Sequence, residues 1–336
     1  MSIKIVNMLK LITSLLLLFM VRPVASQLYL QKEPFAHTYS IVARDPDTGE
    51  MAVGVQSHWF SVGTAVSWGE AGVGVIATQS FVNKSFGIRG LELLKNGKTA
   101  EQALKILLKS DEGREVRQVA IMDARGNVAT HTGENCIKYA GHQQGDNYSV
   151  QANMMLNKDV WPAMAAAFEK SRKLPLAERV LIALEAGEEA GGDIRGRQSA
   201  ALLVVKGKPE ENPWNDPMID LRVDDNEEPL VELKRLLKIY RAYEHMNKGD
   251  LAVEVGDMSL ALQEYGKAES MFPENLEMQY WKAVALANND RLEEALPIFK
   301  RIFRENENWR ELTERLPEAG LLDLKKRELK KVLKLK

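Results

Sequence analysis

From Thr38 to Val223 short apolar runs alternate with polar punctuation. "TYSIVAR" (38–44) and "MAVGVQS" (51–57) carry β-branched residues with a period close to two, and "DPDTGE" between them supplies the dihedrals of a turn, so a hairpin is predicted. "SVGTAVSW" (61–68) and "AGVGVIATQSF" (71–81) repeat the pattern, and Gly69, Gly72 and Gly74 suggest close backbone approach to a packed layer. Four strands are thus expected before any helix. Helical periodicity then covers Lys84–Asn96, closed by Gly97, and Thr99–Leu108, opened by a capping box of Thr99 with Gln102. Strands return at "VRQVAIMD" (116–123), "VATHTG" (128–133) and "YSVQANM" (148–154). Two more helices follow at 160–173 and 176–190, then a strand "SAALLVVK" (199–206) and a short one, "MIDLRV" (218–223), inside a Pro- and acid-rich connection. Hairpin-linked strands with helix pairs between them predict an α+β fold: two antiparallel sheets face to face with helices outside, not a parallel sheet.

From Pro229 the pattern is helical throughout. Ala261 and Ala295, Leu262 and Leu296, and Tyr265 and Phe299 match at a spacing of 34 residues, the period of tetratricopeptide helix pairs. The match needs a one-residue slip, and fewer than three full repeats are present. A helical extension is expected, with a partner-binding groove as one of its readings. The basic, amphipathic end "LKKRELKKVLKLK" reads either as a solvated terminal helix or as a contact for anionic lipid or an acidic partner.

The opening residues differ from all of this. Lys4 and Lys10 precede the apolar run "LITSLLLLFMV", and Val24 and Ser26 stand at −3 and −1 of a cut before Gln27. Residues 1–26 are therefore expected to be a secretory leader, 27–37 a polar lead, 38–224 the sandwich, and 225–336 a linker with the helical domain. The run is about half the roughly 20 residues a spanning helix needs, so an exported protein, periplasmic or extracellular, is expected over an anchored one. The chain of 336 residues is 45% hydrophobic, enough for an ordinary core, and its net charge of −2 argues against a nucleic-acid surface. Cys136 is the lone cysteine, so no intramolecular disulfide forms and stability must come from packing.

"HTYSIVARDPDTGEMAVGVQSHWFSVG", "GEAGVGVIATQSFVN", "THTGENC", "YSVQANMM", "GGDIRGRQSAALLVV" and "IDLRVDD" together resemble the family called domain of unknown function 1028. The resemblance covers roughly Thr38 to Val223 and implies the four-layer α-β-β-α sandwich of the N-terminal-nucleophile hydrolases. In that superfamily the first residue of the first strand, a Thr, Ser or Cys freed by processing, is the nucleophile, and its own α-amine is the base. Thr38 matches that position. A Thr hydroxyl needs a nearby base, and a free N-terminal amine titrates near neutral pH. Members often begin Met-Thr, whereas leader cleavage here leaves eleven residues ahead of Thr38, so a second cut between His37 and Thr38 is required. Without it, Thr38 is an ordinary β-former at a strand start.

Ser57 and His58 are adjacent in a strand and should point to opposite faces, so they do not make a nucleophile pair; Ser57 is a candidate substrate contact and His58 a candidate pocket residue. Asn153 and Gln79 are the candidate amide donors for an oxyanion. Asp193 and Arg195 in "GGDIRGRQSAA" either pair structurally or bind a substrate carboxylate. His131, Glu134, Cys136 and His142 have metal-ligand types, but their spacing matches no physically justified motif, and no metal or cofactor is expected. Two readings follow. One is an exported hydrolase of peptides or small amides with Thr38 as nucleophile. The other is a non-catalytic envelope binding protein whose helices dock a protein partner. Self-assembly into a homo-oligomer is compatible with either.

Overall fold

The computed structural model describes residues 35–209 and 211–336. The expected leader, and the polar lead up to residue 34, lie outside the described residues.

Eleven strands are described, all paired antiparallel. One sheet runs β11 (Ile219–Val223), β10 (Ser199–Val205), β3 (Met51–Ser57), β2 (Thr38–Arg44), β9 (Tyr148–Ala152), β8 (Gly141–Gly145). The other is built on β5 (Gly74–Phe81), β6 (Arg117–Asp123) and β7 (Val128–Thr132). Two short strands share the free edge of β5: β4 (Ser67–Glu70) pairs with its start and β1 (Phe35–Ala36) with Phe81 and Ser80 at its end. Helices α1 (Ser85–Lys95) and α2 (Ala100–Lys109) cover β5 and β6 through Phe86, Ala103 and Leu107 against Ile76, Val119 and Ile121. Helices α3 (Val160–Lys170) and α4 (Leu176–Glu189) lie on the outer face of the first sheet, where a Cβ on Gly54 would fall 2.3 Å from Val180. The molecule thus carries the expected α+β sandwich of two antiparallel sheets with helices outside.

Between the sheets the inward residues divide in two. Val42, Val53, Val55, Val75, Ala77, Met122 and Leu203 make a dry core at one end. At the other end the inward positions are polar yet fully buried: Thr38, Ser40, Ser57, Gln79, Gln118, Ser149 and Gln151. Such a buried set persists only when its hydrogen bonds are made.

Two local expectations change. Residues 61–68 are not one strand: Val62–Thr64 form a 3₁₀ turn, the Val62 amide donates to the Ser199 hydroxyl at 3.1 Å, and β4 starts only at Ser67. Val62 in the turn and Val66 just after it are both buried in the intersheet core. β8, "GHQQG", is a further strand beyond those expected, polar and largely exposed at a sheet edge.

The chain divides into two compact units between Leu230 and Val231. The second unit is helical: α5 (Pro229–Glu254), α6 (Met258–Met271), α7 (Leu276–Asn288), α8 (Leu292–Glu305), α9 (Asn308–Arg315) and α10 (Lys326–Leu333). Its own cores are built around Tyr265, Met278, Tyr280, Phe299 and Phe303. The basic end is packed here: Val332 is fully buried, and Arg310 donates to the carbonyls of Leu333 and Leu335 at 2.7 and 2.5 Å.

Candidate active site

Register builds the site at the polar end of the sandwich. Thr38 opens β2 opposite Ser57, the last residue of β3, and Ser57 in turn faces Ser199 at the start of β10. On the other side of β2 the Asn153 amide donates to the Thr38 carbonyl at 3.1 Å. Thr38 is completely buried and its hydroxyl donates to Ser57 Oγ at 3.2 Å.

The peptide bond ahead of Thr38 is held as well. The carbonyl of His37 accepts from Ser57 Oγ at 2.6 Å and from Arg195 Nη2 at 2.9 Å. Arg195 is aimed by Asp193, whose carboxylate takes Nη2 at 2.6 Å, Nε at 3.0 Å and the Arg195 backbone amide at 2.9 Å. The Asp193 side chain is fully buried while that of Arg195 is 28% exposed, so the acid is the anchor and the guanidinium the reaching part. Bidentate pairing fixes the guanidinium plane and leaves its cationic charge directed at one carbonyl oxygen.

His37 caps the arrangement. Only 2% of it is exposed, its Nδ1 lies 2.9 Å from Asn153 Oδ1, and its ring meets Phe81 edge-on at 5.7 Å. Burial pushes its pKa below the ordinary value of 6.5, and the Arg195 charge pushes the same way; the Asn153 bond and Asp193 oppose the shift without reversing it. The imidazole is therefore neutral at pH 7.

Behind Thr38 lies an amide ladder. Gln79 Nε2 and Asn153 Nδ2 each reach the Thr38 carbonyl at 3.2 Å, and both donate to Gln118 Oε1, at 2.7 and 2.9 Å. Gln118 Nε2 passes the chain on to Thr132 Oγ1 at 2.9 Å and the Ala152 carbonyl at 2.9 Å. Ser40 Oγ donates to Gln79 Oε1 at 2.6 Å and accepts from Gln151 Nε2 at 2.6 Å.

The structure therefore brings together five of the residues singled out in the sequence around Thr38: Ser57, Gln79, Asn153, Asp193 and Arg195. Asn153 and Gln79 address the carbonyl of Thr38, not that of His37. The donors that face the His37 carbonyl are Ser57 and Arg195. His58 stands apart: its backbone amide donates to Asp193 Oδ2 at 3.3 Å, while its Nδ1 is buried without a hydrogen-bond partner. His37, Gln118, Ser40 and Gln151 are residues that the sequence reading passed over. For Gln118 the signal was present, since it interrupts the inward, otherwise apolar face of β6, with Ala120 and Met122.

The four residues with metal-ligand types disperse. His131 Nε2 bonds the Arg114 carbonyl, His142 Nδ1 the Thr132 hydroxyl, and Cys136 Sγ approaches the Arg117 carbonyl at 3.4 Å, with burial raising the thiol pKa. Among the described residues no group of three His, Cys, Asp or Glu could hold a metal ion.

The chain belongs to the family of unknown function DUF1028, whose pattern matches residues 38–233. Protein SPO2555 of Silicibacter pomeroyi, of the same family, is 32% identical; the match covers 60% of this chain and 88% of that one, with a TM-score of 0.54. Anbu (ancestral beta-subunit) of Yersinia bercovieri is 10% identical, with 59% and 92% of the two chains covered and a TM-score of 0.31. Among curated proteins nothing matches.

Proposed function

We propose that the protein is an exported amide-bond hydrolase of the N-terminal-nucleophile type, acting on peptides or small amides, and that the described chain is its uncut precursor. The observation that carries this reading is the His37 carbonyl, held by Ser57 Oγ and Arg195 Nη2 directly ahead of the Thr38 hydroxyl. Two donors on one carbonyl oxygen, one of them cationic, are what an addition step at its carbon needs.

The first step is internal. Thr38 Oγ1 adds to the His37 carbonyl carbon through a five-membered ring, the hydroxyl proton passes to the departing Thr38 nitrogen, and the C–N bond breaks to leave an ester. Water then hydrolyses the ester, giving a His37 carboxylate and a Thr38 with a free α-amine. In turnover that amine takes the hydroxyl proton as Oγ1 attacks a substrate amide, and returns it to the leaving nitrogen. The oxyanion falls where the His37 oxygen stood, facing Ser57 and Arg195. Gln79, Gln118 and Asn153 keep the strand start rigid, and the negative end of the site is limited to Asp193, already committed to Arg195.

The test is a cleavage assay on purified protein with an amide substrate panel. Wild type should shorten to a chain beginning at Thr38 and gain amidase activity in step; Thr38→Ala should do neither. A wild type that hydrolyses nothing and keeps residues upstream of Thr38 would sink the reading.

Complete burial of Thr38 beneath His37 favours one second reading, in which the cut never happens and the protein is a binding or scaffold protein. Its helices would then dock a partner through their exposed faces, the matched positions Ala261 and Ala295, Tyr265 and Phe299 being buried in the unit's own core. It predicts that Thr38→Ala leaves partner binding unchanged.

A further inference from the structure

At the other end of β2, about 20 Å from Thr38 by strand rise, a cavity of about 190 Å³ opens between the β2–β3 turn, the β8–β9 turn, α3 and the start of α4. Arg44, Arg172 and Arg179 all line it. Arg179 is 7% exposed, and its guanidinium is stacked over Phe168 at 4.2 Å, which fixes its plane. The Nε atoms of Arg179 and of Arg44 are both buried without a hydrogen-bond partner. The acid paired with Arg179, Asp45, stands at 3.8 Å, beyond hydrogen-bond reach. Arg44 makes a single long contact, Nη1 to Asn147 Oδ1 at 3.4 Å.

A buried guanidinium nitrogen without a hydrogen-bond partner is costly, and two on one cavity, Nε of Arg44 and Nε of Arg179, suit an anion there. Four acids share the cavity with the three arginines: Asp45, Asp47, Asp146 and Glu169. Asp45 Oδ1 accepts the amides of Asp47 and Thr48 at 2.9 and 3.1 Å, and Glu169 Oε1 accepts the Tyr148 hydroxyl at 2.7 Å. Glu169 and Asp47 are exposed at the mouth, so their charge faces whatever enters. Donors within and acids at the rim match a carboxylate with an ammonium beside it. The size is below the 300 Å³ or so at which drug-sized ligand pockets begin, which suits a compact metabolite.

We propose that this cavity binds a small amino-acid zwitterion, its carboxylate on Arg44, Arg172 and Arg179 and its ammonium toward Glu169 and Asp47. The site is separate from Thr38 and does not depend on the hydrolase reading.

Titration calorimetry on the full chain with L-alanine, acetate, methylammonium and inorganic phosphate tests it. L-Alanine should bind saturably at one site, with acetate about tenfold weaker and methylammonium weaker still, one charge-assisted contact being about that factor. Arg179→Gln should weaken L-alanine binding by about tenfold or more. Arg172→Ala, at an exposed position whose loss leaves the fold intact, should weaken it severalfold and keeps the test valid if the buried variant does not fold. No binding of L-alanine, phosphate binding in preference to it, or binding indifferent to Arg172→Ala would overturn the proposal.

Discussion

While its nitrogen is an amide Thr38 has no α-amine to serve as base in turnover, so every consequence at the residue scale turns on its neighbours' hold on the bond before it. Arg195 supplies the cation on the His37 carbonyl. Arg195→Gln should slow cleavage about a hundredfold, the order expected for one preorganised oxyanion donor, with the protein still folded by circular dichroism. Thr38→Ser should still cleave. His37 contributes a pH dependence to the uncut chain. Its folded pKa lies below the unfolded value of 6.5, so the unfolded chain binds a proton that the folded chain refuses. Stability from this group is present above pH 6.5 and is lost as pH falls below it. In a Thr38→Ala background, which keeps the chain whole, the loss of Tm between pH 7.5 and pH 5.5 should shrink when His37 is replaced by Gln. An unchanged loss would mean that His37 is not sealed as described. Thr38, Ser57 and the Asp193–Arg195 pair were legible in the sequence as residue types at strand ends and in a glycine-rich loop. Which carbonyl Arg195 and Asn153 each address was not, because only register decides which side of Thr38 an amide or guanidinium faces.

At the scale of elements, the strands and helices with a clear apolar period were legible: β2, β3, β5, β6, β9, β10 and the paired helices all fall within a few residues of their expected places. β8 was hidden because Gly141–Gly145 has no apolar residue to alternate, being an exposed edge strand. The 3₁₀ turn at Val62 was hidden because its valines are spent on burial, which a strand would also have used them for. The polar half of the intersheet layer stands or falls with Gln118, which accepts from Gln79 and Asn153 and donates to two further neighbours. Gln118→Leu should cost at least about 2 kcal/mol in urea denaturation, since it strands several buried partners, and should slow cleavage by loosening the strand start. On the outer face, α4 packs so close to β3 that Gly54→Ala should cost about 1–3 kcal/mol, because the new methyl lies 2.3 Å from Val180 Cγ1. Val180→Ala in the same chain should recover part of that loss. Equal costs for the single and double variants would contradict the contact.

At the scale of the molecule, two units each hold a core of their own, the sandwich around its intersheet and helix-facing clusters and the helical unit around Tyr265 and Tyr280. A chain ending at Leu230 should therefore fold, with a cooperative thermal transition and an unchanged cleavage rate; failure to fold would contradict two independent cores. The division was legible from the change of period at Pro229, and of the positions matched at 34 residues Ala261, Tyr265, Ala295 and Phe299 are buried in α6 and α8 while Leu262 and Leu296 are half-buried. A repeat architecture goes beyond what those few pairs carry, because stacking is a property of successive helix pairs and not of matched residues. The account as a whole depends on one covalent event. Intact mass with N-terminal sequencing, on protein recovered from the exported fraction and again after incubation, reads it directly. The account predicts wild-type chains beginning at Thr38 and Thr38→Ala chains beginning upstream. Wild-type and Thr38→Ala chains that both keep His37 attached to residue 38 after prolonged incubation would contradict it.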